Sequence, residues 1–435
     1  MSDRHDFMTL TQTGADTPMG KLLRRYWIPA TMASEVADPG GAPVRVKLLG
    51  ERLVCFRNPA GELGLVREFC PHRGASLAYA RNEDGGLRCL YHGWLVAPSG
   101  KIEQTPPEPD LTKHFCHPSY PVHEAGGIVW AYMGPKELQP PFPDFPWMKL
   151  KPPHLLIAKM YQDCNYMQGV EGDLDPAHPN YLHRDLDQEE DVSWAGAGWN
   201  SILALMHDGA PVIHCERTPH LMRVGAIRTT TQPDVSYVRV FEYCAPFYSF
   251  IPVGAGESRL FKAWHPIDDH SCFTFYVHYD AERPLDAEAI YRNWGHRTSA
   301  PDYRAAHNNA NMHLQDRDRM HRNLSGIEGA AIQDLAMQES MGPLYDRSQE
   351  HLGASDRAVI FYRHTLMRLL DVAERGDPLP GQDAALDYDI RAASTWMPAG
   401  EPWQQAAQWL EREERGDVQW REKHFASAQR SPADS

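Results

Sequence analysis

The chain has 435 residues, of which 42% are hydrophobic and 23% charged, and a formal net charge of −15. That length allows two or three domains with sizeable cores, and the negative charge repels nucleic acid and anionic membrane, so neither is an expected partner. The ~18-residue apolar run of a transmembrane helix does not occur, and the opening MSDRHDFMTLTQTG lacks the basic start and apolar stretch of a secretory signal, which points to the cytoplasm.

Residues 17–30, TPMGKLLRRYWIPA, read as a short amphipathic helix. Leu22, Leu23, Tyr26 and Trp27 recur at helical spacing, and Pro29 is expected to end it. Segments PVRVKLLG, ERLVCFRN, ELGLVREF and GIVWAYMG then read as strands, punctuated by Gly, Pro and Asn. They predict a small all-β domain over 35–150, preceded by an N-terminal helical segment over 1–34. Residues 135–153 are rich in proline and read as an extended linker into a larger domain over 151–435. Within that domain WNSILALMH, PVIHCER, HLMRVGAIRTTT, SYVRVFEYCAPFYSF, ESRLFKAWHPI and SCFTFYVHYD predict an antiparallel sheet with one packed face. Helices are expected near 286–298, 302–320, 330–341, 355–376 and 400–415. The tail from His424 should fray. The predicted fold class is α+β, a small β domain joined to an antiparallel sheet surrounded by helices.

The β domain carries CPHRGASLAYARNEDGGLRCLYHGW, residues 70–94. It offers Cys70-x-His72 and Cys89-x-x-His92. Two thiolates on one iron and two imidazoles on its neighbour are the donor set of a Rieske [2Fe–2S] centre. Side-by-side irons require each loop to give one sulfur and one nitrogen, which fits two short Cys/His loops joined by β-structure. The glycines in Arg73-Gly74 and Gly93-Trp94 suit loop tips that turn back. A zinc knuckle uses the same donors, but its pairs come as C-x-x-C and H-x₃₋₅-H. The other six cysteines, at 55, 116, 164, 215, 244 and 272, read as small core residues with free thiols.

A second constellation lies in NYMQGVEGDLDPAHPNYLH, residues 165–183. A mononuclear non-haem iron site needs two imidazoles and one carboxylate on one face of the metal, with other positions open. His178 and His183 are five apart, which on a regular helix turns them roughly 140° from one another. Pro179 disturbs a regular helix and permits a bend. Asp175 is three residues before His178 and shares its face, so it can hydrogen-bond that imidazole. Alone, this string also describes a solvated helix with incidental histidines.

The cluster box resembles that of the Rieske non-haem iron oxygenases. TPMGKLLRRYWIPA, EFCPHRGASLAYARNEDGGLRCLYHGW and IQDLAMQESMGPLYDRSQEHLGASDRA look like the phthalate 4,5-dioxygenase branch, whose members dihydroxylate aromatic carboxylates or remove O-methyl groups from methoxylated ones. The resemblance implies a helix-grip catalytic domain, a Rieske cluster on Cys70, His72, Cys89 and His92, and mononuclear Fe(II) on His178 and His183. Asp334 in AIQDLAMQES would complete the triad, with Glu328 and Asp316 as fallback carboxylates. Asp175 would link the iron site to a neighbouring subunit's cluster histidine in a homotrimer or stacked trimers. Asn165 would belong to the iron's outer shell, although a helix cap is an equal reading. After His92 the strand GWLVAPSG departs from the more polar pattern of relatives, and is expected to alter a docking surface.

No G-x-G-x-x-G after a strand and no plant-type C-x₄-C-x₂-C run occurs. A separate NAD(P)H-dependent reductase is therefore expected, acting directly or through a ferredoxin. The expected substrates are O₂ and an aromatic carboxylate, either a methoxylated lignin-derived acid or a phthalate-like acid. An anion would want an Arg fork. Arg217, Arg223, Arg228 and Arg239 are candidates by type and location, as are His207 and His214 for a phenol or carboxylate. The reading from another class is a Rieske electron carrier or redox sensor, to which the long second domain is foreign.

Overall fold

An eight-stranded antiparallel sheet forms the backbone of the larger half. Its strands run in the order Leu155–Gln162, Cys272–Tyr279, Arg259–Pro266, Tyr248–Ile251, Val235–Cys244, Leu221–Thr229 and Val212–Arg217, and Ala393–Pro398 pairs with Val235–Cys244. The computed structural model describes residues 6–186, 201–254 and 256–417; the tail from His424 lies outside them. Three smaller antiparallel sheets precede the large one: Trp27–Met32 with Ile128–Tyr132 and Val122–Ala125, then Val44–Leu48 with Glu51–Arg57 and Leu63–Arg67, then four short strands between Arg81 and Gln104. The expected α+β class and the antiparallel sheet are therefore present. Among the described residues no helix is long and apolar enough to cross a membrane.

Several expectations need correction. The first helix is only Pro18–Leu23, capped by Thr17, whose hydroxyl accepts the Gly20 N–H at 3.1 Å. Trp27 and Pro29 belong to a strand. That strand is an edge, and its register shifts between Pro29 and Thr31, a position where a missing N–H is tolerated. The proline-rich 135–153 segment is anchored, because Phe145 and Trp147 are buried in the main core. Residues 201–207 of WNSILALMH are helical; a short apolar run does not by itself separate strand from helix. The expected helix over 302–320 is replaced by 3₁₀ turns at Asn309–Leu314 and Arg317–Arg319, with Met312, His313 and Leu314 at positive φ. That left-handed kink places His313 in the interior, 3.1 Å from Glu339. Cys116 is exposed and Cys215 half-buried, so two of the six thiols read as core are not fully interior. Leu95, Val96 and Ala97 of GWLVAPSG are buried, and the stretch reaches the surface at its turn, at Pro98 and Ser99.

Two helices lie on one face of the large sheet and position the site. Tyr166–Leu174 approaches so closely that a Cβ on Gly169 would lie 2.0 Å from the Trp264 ring. Ala330–Ser340 packs Ala331, Ile332, Leu335 and Ala336 against Leu260 and Tyr276. Asn165 caps the first of these helices. Its side chain accepts the Met167 N–H at 3.0 Å and donates to the carbonyls of Thr11 and Asp269. The expected cap is thus present, tied to the 3₁₀ turn that ends at Thr11 and to Asp269.

Candidate active site

The two Cys/His loops are near copies of one another. The Cys70 N–H donates to Ala75 and Gly74 returns to the Cys70 carbonyl; the Cys89 N–H donates to Trp94 and Gly93 returns to the Cys89 carbonyl. Both turns require a left-handed residue, and Gly74 and Gly93 supply φ of 75° and 76°. The His72 and His92 rings meet edge to face at 4.3 Å, and His72 stacks on Trp94 at 5.0 Å. Burial, with the Cys89 thiol beside it, pushes the Cys70 thiol up to about 11. His72 Nδ1 is buried with no hydrogen-bond partner. Two adjacent thiols, two adjacent imidazoles and an orphaned ring nitrogen fit a [2Fe–2S] cluster.

His178, His183 and Asp334 come together in the larger half, each offering a donor atom within 4.8 Å of the others. His178 precedes and His183 follows the single turn Pro179–Leu182. That turn and its flanking caps bring the rings to 5.1 Å, despite the five-residue spacing. Asp334 comes from the helix Ala330–Ser340. Its Oδ1 lies 3.5 Å from His178 Nε2 and 3.2 Å from His183 Nε2. Burial opposes its charge, but His183 and then His178 hold its carboxyl down to about 2. The opposite ring nitrogens are already engaged. His178 Nδ1–H donates to the Asp175 backbone carbonyl at 2.8 Å, and His183 Nδ1–H to Gln333 Oε1 at 2.6 Å. Both Nε2 atoms are thereby turned toward Asp334, an arrangement suited to a metal. Glu328 and Asp316 are outside this group: Glu328 pairs with Arg319, and Asp316 caps a 3₁₀ turn.

The Asp175 carboxylate pairs with His178 in charge and not by the expected hydrogen bond. It accepts the Ala177 N–H at 2.7 Å and stays 3.7 Å from His178 Nδ1. Gln333 escaped the sequence reading; its position just before Asp334 is the one signal that could have suggested it.

His178 and Asp334 stand in a wall shared by two cavities, and His183 lines the first. One, of about 830 Å³, is bounded by the sheet residues Tyr237, Arg239, Phe241, Leu260 and Lys262 and by Trp294. The other, of about 700 Å³, is bounded by Tyr181, Met337, Met341 and Arg363; Asp175, His178 and Asp334 line both. Of the proposed substrate residues, Arg239 alone faces the first cavity. It is buried, donates one bond to the Pro252 carbonyl at 3.2 Å, and leaves Nε without a partner. Arg228 does not line this cavity; it donates to the Asp208 and Pro176 carbonyls and braces the loop between Asp175 and His178. Arg223 pairs with Glu242 and Glu216, and Arg217 lies over Phe361. His214 stacks against Trp403 away from this cavity, and His207 is not among its lining residues.

Residues 26–121 match the Rieske [2Fe–2S] domain, and residues 131–423 match the family described as LigXa C-terminal domain like. The chain is 36% identical to the phthalate 4,5-dioxygenase oxygenase subunit of Pseudomonas putida, over 86% of this chain and 87% of that one. It is 32% identical to the 3-chlorobenzoate-3,4-dioxygenase oxygenase subunit of Comamonas testosteroni, over 87% and 91%. It is 28% identical to the 5,5'-dehydrodivanillate O-demethylase oxygenase subunit of a Sphingobium species, over 85% and 80%. Dicamba monooxygenase shares its fold with a TM-score of 0.55 at 18% identity, over 81% of this chain and 99% of that one. Two cysteine–histidine loops, a second histidine–aspartate trio and these matches along nearly the whole chain agree: it belongs to the Rieske non-haem iron oxygenases, as an oxygenase component of the phthalate 4,5-dioxygenase branch.

Proposed function

We propose that this oxygenase component oxidises an aromatic carboxylic acid with O₂, either removing an O-methyl group from a methoxylated acid or dihydroxylating the ring of a phthalate-like acid. Cys70, His72, Cys89 and His92 hold the cluster, and His178, His183 and Asp334 hold the iron. The observation that carries the reading is the pair of engaged Nδ1 atoms, which leaves two imidazole Nε2 atoms and one carboxylate on a common centre. When bound, the cluster supplies electrons singly and the iron supplies open positions for O₂.

The chain's own side chains do the rest. The Asp175 carbonyl and Gln333 fix both rings before any metal arrives, so little reorganisation is needed. Arg239 brings a guanidinium to the cavity lining for a substrate carboxylate, and Phe241, Leu260 and Trp294 offer apolar walls to its ring. A separate NAD(P)H-dependent reductase supplies the electrons.

Asp175 is also the point at which a neighbouring subunit's cluster would meet the iron site in a trimer. Leu90 and Tyr91 are exposed beside His92, and Tyr181, Met337, Met341 and Leu352 are exposed around the second cavity. Two apolar patches of this kind suit a head-to-tail contact. A panel of methoxylated and unsubstituted aromatic acids, assayed for substrate-dependent O₂ uptake with a surrogate reductase and ¹⁸O₂, tests the reading. Formaldehyde or a labelled cis-diol supports it; no acid stimulating O₂ uptake would refute it.

A further inference from the structure

The cavity holds one buried ammonium that none of the assignments above explains. Lys262, on the strand Arg259–Pro266, is 2% exposed and lines the cavity together with Asp173 and Asp334. Its Nζ donates to Asp173 Oδ1, the only hydrogen-bond partner it has among the described residues. An ammonium has three N–H donors. The rest of its surroundings are the rings of Trp264 and Tyr276, with centroids 4.9 and 5.0 Å away.

Asp173 is held in place by other groups besides the lysine. Its Oδ2 accepts Ser249 Oγ–H at 2.7 Å and Trp264 Nε1–H at 2.8 Å, while its backbone carbonyl accepts the Tyr243 hydroxyl at 2.6 Å. Tyr243, Ser249, Lys262 and Tyr276 stand in register across four neighbouring strands. The row is therefore built into the sheet and does not depend on a loop.

Both reactions open to this family member need protons inside the cavity. O-demethylation consumes O₂, two electrons and two protons, and yields a phenol, formaldehyde and water. Ring dihydroxylation consumes the same and yields a cis-diol. The other cations lining the cavity are Arg239, Arg292 and Arg319, and a guanidinium does not release its proton. Among the described lining residues Lys262 is the one lysine.

We infer that Lys262 is a proton donor to dioxygen reduced in this cavity, with Asp173 as its positioning residue. In the step, an Nζ–H bond breaks and an O–H bond forms on an oxygen atom of the dioxygen. The electron pair stays on Nζ, and the two electrons that reduce the oxygen come from the reductase through the cluster. The neutral amine then takes a proton from water. Ser249 and Trp264 hold the Asp173 carboxylate in place throughout, so it keeps its hydrogen bond to Nζ.

This role rests on the reading of His178, His183 and Asp334 as iron ligands. Lys262→Gln tests it, because glutamine still offers Asp173 an N–H but has no proton to transfer. Iron per chain, substrate affinity from tryptophan fluorescence, and product and H₂O₂ formed per O₂ are measured on the same samples. The expected result is unchanged iron and affinity, product formation lowered about a hundredfold, and consumed O₂ recovered as H₂O₂. The solvent deuterium effect on product formation should also disappear. Wild-type iron with wild-type product per O₂ would overturn the role of Lys262. Weaker substrate binding with full product per O₂ would overturn it too, and assign Lys262 to anchoring. Wild-type protein without the third iron would instead overturn the iron reading. Should Lys262→Gln fail to fold, Lys262→Met with Asp173→Asn removes both charges, leaves no lone buried ion, and carries the same comparison.

Discussion

His183 donates its Nδ1–H to Gln333 Oε1 at 2.6 Å, and the residue after Gln333 is the carboxylate that faces the same ring from the other side. One helix thus sets both the orientation of His183 and the carboxylate that faces it. Gln333 is itself fixed, donating to the Ile327 carbonyl at 2.7 Å. Gln333→Leu should lower iron affinity roughly 10- to 100-fold while leaving the cluster spectrum intact. Iron retained against a graded chelator is the measurement.

Asp175→Ala separates two functions of one residue. The backbone carbonyl of residue 175 holds His178, so removing the carboxylate leaves the imidazole oriented. Iron and cluster content should stay at wild-type levels, while electron passage from cluster to iron stops. Single-turnover product from pre-reduced protein checks this; normal yield would exclude Asp175 as the bridge.

Arg239→Met should weaken binding of an aromatic carboxylate. A hydrogen bond to a charged group contributes about 1.5–3 kcal/mol, so affinity should fall by about one to two orders of magnitude. Iron content should not change, and Arg239→Lys should recover part of the loss. A titration of the apparent KM against the acid and its methyl ester gives the test: the ester should be indifferent to the substitution.

Asn165→Ala should destabilise the fold without touching the chemistry. It removes an N-cap and two donations to distant loops, worth together about 1–3 kcal/mol. Thermal unfolding should shift downward, and turnover per folded, iron-loaded chain should remain at the wild-type rate. A selective loss of turnover would place Asn165 in the iron's surroundings after all.

The residues that were legible in the sequence are those whose chemistry is local. Each Cys/His loop announces itself because its donors and turning glycine lie within a few residues. The His178 and His183 pair was visible for the same reason, but its geometry was not. A helical wheel sets the rings apart, and the caps on either side of Pro179–Leu182 bring them together. Asp334 came only by resemblance, since an acidic residue on a helix has no local mark of ligation. Gln333 has no local mark because its partner His183 is 150 residues away, and Asp173 and Lys262 have none because they lie 89 residues from one another, in contacts set by tertiary packing. The helix over 201–207 was misread as a strand because its apolar run is periodic in neither sense. The strand Ala393–Pro398 has no local signal of its own, because it is fixed by pairing with Val235–Cys244, a distant strand.

Iron quantitation on the reconstituted protein beside a His178→Ala, His183→Ala double variant tests the central claim most directly. The expected result is about three irons per chain in the wild type and about two in the variant, with the same Rieske spectrum in both. About two irons in both proteins would contradict a catalytic iron held by these residues.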